Sequence, residues 1–183
     1  MLNKNIELVK AVTEFRRALV LYSRKEEAKP ELGMVQFPKN CCGPASCLLA
    51  RYLNELHLGQ ATYIEADTRD EDGRMLNMHA WLLLNDLIID VTASQFNSKS
   101  TKKISEVIVT KDTNWHGRFN NQIHKPYVGG SDPFLTGYNA TWEQVYSEVK
   151  NLLLESRKPT YHLKMSLKWV TKLIKSLHRK QSW

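Results

Sequence analysis

Between His79 and Thr92 the chain reads HAWLLLNDLIIDVT, two apolar runs that meet at Asn85-Asp86. A two-residue polar break between such runs is a hairpin turn, and pairing Leu84 with Leu87 fixes which residues lie opposite one another. Side chains alternate between the faces of a strand, so His79, Trp81, Asp90 and Thr92 are expected to project from one side, Trp81 opposite Asp90 and His79 opposite Thr92. His79 and Asp90 become diagonal neighbours, about 7–8 Å apart between backbones and within reach of a carboxylate holding an imidazole nitrogen. An aspartate in the middle of an Ile/Val strand needs such a partner, because burying its charge alone is strongly unfavourable.

The rest of the chain supplies helices on either side of this hairpin. Ile6, Val9, Val12, Phe15, Leu19 and Val20 predict a helix over residues 4–26. Pro44 suits a first helical turn, and Ala45, Leu49, Tyr52, Leu53 and Leu56 line one face of a second helix that Gly59 stops. Strands are expected at 61–66, 75–84, 87–92 and 107–110. The acidic connection from Asp67 to Gly73 fails as a calcium loop, since its first and twelfth ligand positions would be Thr68 and His79. Residues 117–140, rich in Gly, Asn and Pro, read as irregular, and Thr141 with Gln144 forms a capping-box pattern ahead of a third helix. No internal repeat or linker divides the 183 residues, so a single α+β domain is expected, with the second helix packed on an antiparallel sheet and further helices at both ends.

Charge is uneven along this sequence. Residues 151–183 hold eight of its 26 Lys and Arg but one of its 19 acids, which leaves the first 150 residues balanced at 18 against 18. A globally basic, nucleic-acid-coating surface is thereby excluded. Within 160–183, Leu163, Leu167, Val170, Leu173, Ile174 and Leu177 recur at helical spacing among lysines, which predicts a basic amphipathic helix. Such a helix packs on the core with its lysines in water, or docks on an anionic membrane or nucleic acid. The longest apolar run, Ala80 to Leu84, is five residues, far from a membrane span. The amino terminus has no hydrophobic signal core, and three cysteines, two of them adjacent, suit free thiols better than a disulfide framework. A cytoplasmic protein is expected.

Cys42 stands just before Gly43-Pro44 at the entrance of the second helix. A helix entrance offers unpaired N–H groups and the positive end of the helix dipole, which favour a thiolate and supply donors to an oxyanion. A nucleophilic thiol needs a base and the base an orienter, and His79 and Asp90 fill those roles. Cys41 is the alternative nucleophile, and Cys47, inside the helix, reads as core. The three cysteines do not form a zinc site by spacing, because adjacent cysteines and a gap of five do not resemble C-x2-C pairs. Neither Trp115-His116 nor His124 gains a role from its spacing.

The segment FPKNCCGPASCLLARYL followed by HAWLLLNDLIIDVTASQF resembles the papain-like and transglutaminase-like cysteine superfamily over residues 36–96. In that superfamily a Cys opens a helix and His and Asp lie on consecutive strands. The resemblance implies thiol-dependent acyl transfer through a Cys42–His79–Asp90 triad. Gln36, six residues before Cys42, is the first choice for the side-chain amide of the oxyanion hole, and Gln95 is the second. Trp81 and Gln95 are expected to contact substrate, Trp81 as a wall of the cleft, with a core tryptophan as the alternative. The chemistry requires no metal or organic cofactor. A cysteine hydrolase of peptide, isopeptide or side-chain amide bonds is the leading expectation. A transglutaminase, deamidase or acyltransferase with the same triad and a non-enzymatic module acting through residues 160–183 are the alternatives.

Overall fold

The computed structural model describes residues 2–26, 28, 33–126 and 139–157. It is an α+β arrangement of three helices, α1 (Leu2–Tyr22), α2 (Cys42–Glu55) and α3 (Asn139–Arg157), with five strands, β1 (Thr62–Arg69), β2 (Met75–Leu84), β3 (Leu87–Asp90), β4 (Ile108–Thr110) and β5 (Asn120–Pro126). The strands form one antiparallel sheet in the order β4-β3-β2-β1-β5. Helix α2 packs against β1 and β2, and α1 packs against α2 and α3.

The central hairpin has the register its sequence dictates, with Leu84 opposite Leu87, Leu83 opposite Ile88 and Leu82 opposite Ile89. Asn85 and Asp86 take φ of 49° and 63°, the left-handed pair that a two-residue turn between right-twisted strands requires. Alternation then divides the buried side chains. Ala80, Leu82, Leu84 and Ile89 face the helices, where Val12, Phe15 and Leu19 of α1, Leu49 and Leu53 of α2 and Val149 of α3 complete the main core. Each such side chain, fully buried, stabilises the fold by about 1.5–3 kcal/mol. Ile64, Ala66, Trp81, Ile88 and Phe119 form a smaller cluster on the opposite face.

Several boundaries differ from the sequence expectation, each for a local reason. The third strand stops at Asp90, two residues before Thr92, because Thr92 N and Ala93 N turn in to donate to Asp90 Oδ1 at 2.7 and 2.9 Å. Thr92 therefore does not pair opposite His79, and a 3₁₀ helix, Ala93–Lys99, follows instead. The first strand continues to Arg69, held by Asp67, which accepts from Arg69 at 2.8 Å and from Asn121 Nδ2 at 2.8 Å. Helix α1 ends at Tyr22, and α2 ends at Glu55, short of Gly59. Helix α3 starts at Asn139, so Thr141 lies inside it and Gln144 Nε2 donates to Glu148 Oε1 at 3.2 Å instead of closing a capping box. Strand β5 falls within the stretch read as irregular. It is an exposed edge strand of polar residues with no apolar alternation to announce it, and pairing with β1 makes it a strand. The basic segment 160–183 lies outside the described residues. Among the described residues no helix is long and apolar enough to cross a membrane.

Candidate active site

Helix α2 begins at Cys42, and its first helical bond runs from Ala45 N to Cys41 O at 2.8 Å. The N–H groups of a first turn have no intrahelical acceptor, and Pro44 carries none, so Cys42 and Gly43 present theirs at the helix mouth. A Cβ on Gly43 would stand 3.2 Å from Tyr63 Oη, which shows how closely β1 meets that mouth. Cys42 is half-buried and lines an open cleft of ≈ 550 Å³ together with Lys39, Asn40, Met78, Gln95 and Phe96. Cys41 is buried, its thiol pushed up to about 12 by burial and by the adjacent Cys42. Cys47 is buried in the main core.

His79 is fully buried on β2. Its Nε2 lies 2.6 Å from Asp90 Oδ2, a charge-assisted hydrogen bond. The remaining ring nitrogen, Nδ1, lies 3.3 Å from Gln95 Nε2, and the Cys42 thiol is near enough to the imidazole to help raise its pKa. With Nε2 committed to Asp90, Nδ1 is the ring nitrogen left for another partner. Phe96, Trp115 and Phe119 pack against the ring with centroids 5.2–5.6 Å away and help bury it from water. Burial opposes a charged ring here, but the Asp90 carboxylate and the bonds to Asp90 and Cys42 outweigh it and raise His79 to about 9.

Asp90 is 1% exposed and accepts five hydrogen bonds. Its Oδ1 accepts from Thr92 N, Thr92 Oγ1 and Ala93 N, and its Oδ2 accepts from His79 Nε2 and from His116 Nε2 at 2.9 Å. Burial alone would raise its pKa, but His79 and His116 outweigh that and hold it well below the usual carboxylate range. From α1, Arg16 supports the same turn, with Nε donating to Val91 O at 3.2 Å and a terminal nitrogen to Glu106 at 2.7 Å. Nitrogens of His79 and His116 and an oxygen of Asp90 all lie within 4.8 Å of one another, close enough to suggest a metal. Their N···O separations of 2.6 and 2.9 Å are hydrogen-bond lengths, however, shorter than the roughly 3.3 Å between two ligands of a tetrahedral zinc.

Of the residues the sequence singled out, the structure brings Cys42, His79, Asp90 and Gln95 together. Trp81 is not a wall of the cleft. It is 1% exposed and packs among Ile64, Ile88 and Phe119 behind the histidine, because the strand face it shares with His79 is covered by Phe119 and the Trp115-His116 turn. Gln36 sits exposed on a short 3₁₀ turn, Met34–Gln36, outside the cleft lining, and its Oε1 accepts from Asn40 Nδ2 at 3.1 Å. Asn40 occupies the cleft where Gln36 was expected. Sequence reasoning missed His116 and Arg16, which lie 26 residues after and 74 before Asp90 and carry no spacing signal. No family model matches this chain, and no curated protein or solved structure is similar to it.

Proposed function

We propose that the protein is a cysteine-dependent amide hydrolase of the papain-like and transglutaminase-like kind. The observation that carries this reading is the line from the half-buried Cys42 at a helix mouth, through His79 Nδ1 and Nε2, to a buried Asp90 with five donors. In the reaction, Cys42 gives its proton to His79 Nδ1 and the thiolate attacks the amide carbonyl. The backbone N–H groups of Cys42 and Gly43 receive the oxyanion, with the side-chain amide of Asn40 or Gln95 at the cleft wall as a further donor. His79 Nδ1–H then protonates the leaving amine, the C–N bond breaks, and a water deprotonated by the same nitrogen releases the acid and restores the thiol. Asp90 keeps the ring oriented with its proton on Nε2 throughout.

The cleft wall favours an extended peptide as substrate. The β2–β3 ladder covers only Leu82 to Leu84, so among the described residues the β3-side edge of Met75–Met78 pairs with no strand. Leu84 and Leu87 flank the turn as a bonded pair, so Met78, at even spacing from Leu84, points its N–H and C=O toward that edge, and Leu76 follows at the bulge between Met75 and Asn77. Both side chains are exposed, and a peptide laid along them would bring a carbonyl toward Cys42. A cytoplasmic location, where thiols stay reduced, fits the three free cysteines.

Electrophilic peptide probes on the purified protein test the reading. Cys42 is expected to be labelled selectively, at a rate that falls at least about tenfold in His79→Ala. Equal, slow labelling of all three cysteines would sink it. Products separate hydrolysis from transfer: a free acid from a bound peptide means hydrolysis, and a new amide with an added amine means acyl transfer by the same triad.

A further inference from the structure

Asp90 Oδ2 accepts two imidazole N–H groups at once, from His79 Nε2 at 2.6 Å and from His116 Nε2 at 2.9 Å. A triad needs only the first. His116 is 2% exposed, stacks roughly parallel to His79 with centroids 6.2 Å apart, and is gripped by Trp81 at 4.9 Å and Trp115 at 4.6 Å. Its Nδ1 is buried with no hydrogen-bond partner, so the ring carries its proton on Nε2, aimed at the carboxylate. Evenly matched partners for Asp90 are absent from the other oxygen, where the donors are the backbone and hydroxyl of the Asp90–Ala93 turn.

Resting on the hydrolase reading above, we propose that His116 is a positioning residue of the triad: by donating to the same carboxylate oxygen as His79, it limits the charge Asp90 can direct at the catalytic ring. A carboxylate with one imidazole donor concentrates its charge on that ring and binds the imidazolium tightly. Shared between two donors, it still orients His79 but leaves Nδ1–H acidic enough to go to a leaving amine. The other groups facing this assembly are Cys42 from α2, Arg16 from α1, and Arg118, whose guanidinium lies 4.2 Å from the Trp115 ring and 5.2 Å from that of Phe119. Neither arginine donates to Asp90 Oδ2, so the sharing falls to His116.

The test is a histidine NMR titration of the full chain, comparing wild type with His116→Phe, which keeps a ring among the tryptophans but removes the donor, and His116→Gln, which restores an N–H at the Nε2 position. The expected result is a His79 midpoint raised by about half a pH unit or more in His116→Phe and returned toward wild type in His116→Gln. Equal midpoints in all three, with only melting temperature lowered, would make His116 structural and overturn the proposal. A lowered midpoint in His116→Phe would do the same. Should the phenylalanine variant not fold, the wild-type spectrum decides: His116 must show a protonated Nε2 and a bare Nδ1, and the opposite tautomer overturns the sharing. Failure here is distinct from failure of the hydrolase reading, because selective Cys42 labelling that depends on His79 is measured separately.

Discussion

The two faces of the central hairpin do opposite things with the same backbone. Ile89 and Asp90 are neighbours on β3, yet Ile89 points into a core of aliphatic and aromatic side chains under the helices, and Asp90 points into a closed pocket of two histidines and aromatic rings. Both are buried, at 0% and 1% exposure. On the helix side, stability comes from area removed from water, which has no preferred direction and tolerates small changes of shape. On the other side it comes from donors aimed at one carboxylate, and there the loss of a partner leaves the rest stranded in a low dielectric. The comparison teaches that the polar face is the less forgiving half of the fold, although it contributes far less apolar area.

The sharpest way to break that comparison is to delete the acceptor. Asp90→Ala strands two imidazole N–H groups and the Thr92 and Ala93 amides, and should destabilise the protein by about 3–5 kcal/mol in denaturant melts. A loss no larger than that of a trimmed aliphatic residue would mean the network contributes little.

The next effect is one of pH. His79 is raised from its usual 6.5 to about 9, so its contribution to stability is present in full below 6.5 and is lost as pH rises through about 9. The loss amounts to about 3 kcal/mol at most, because it reports the pairing with Asp90 from the histidine side only. Asp90, lowered by the same pairing, contributes above the unfolded carboxyl value, near 3.9, and loses its contribution as pH falls below that. Chemical melts between pH 5 and 10 should therefore show a plateau at mildly acid pH and a decline on the alkaline side. A flat alkaline limb would show that the His79–Asp90 pair is no stronger folded than unfolded.

Much of this contrast was legible before any coordinates. The Asn85-Asp86 break fixed the hairpin, and period-two alternation from it put His79 and Asp90 on one face and Leu82 and Ile89 on the other. Helix α1 was visible in Ile6, Val9, Val12, Phe15, Leu19 and Val20, of which Val12, Phe15 and Leu19 reach the core while Ile6 and Val9 stay exposed. What alternation does not report is what covers a face. Trp81 shares the face of His79, but whether it meets substrate or core depends on Phe119 and the 115–116 turn, which arrive from a polar stretch without periodicity. His116 was illegible for the same reason: its partnership with Asp90 is set by the path of an irregular loop. Gln36 is not in the cleft because a fixed offset from Cys42 ignores the 3₁₀ turn, Met34–Gln36, that it ends; Asn40, which donates to Gln36, lines the cleft instead.

The apolar face makes the smaller, complementary prediction. Ile89→Val removes one methylene from the helix-side core and should cost about 1 kcal/mol at every pH, leaving the alkaline decline of the wild type unchanged. A change in the shape of the pH profile would mean the two faces are coupled through the strand, contrary to their separation by alternation.

The smallest stability effect belongs to the residue with the largest proposed role. Cys42 is half-buried at a helix mouth and contributes little apolar area, so Cys42→Ala should shift stability by no more than about 0.5 kcal/mol. Selective labelling by an electrophilic peptide should nevertheless disappear, and the adjacent cysteine should not replace it. Cys41 is 0% exposed with a thiol pushed up to about 12 by burial, so it stays protonated in a site the probe cannot enter. Persistent fast labelling in Cys42→Ala would transfer the nucleophile to Cys41 and require the helix mouth to open. A large loss of stability would instead mean that Cys42 holds His79 in the fold, and the polar face would then be a structural network reaching the surface at a thiol.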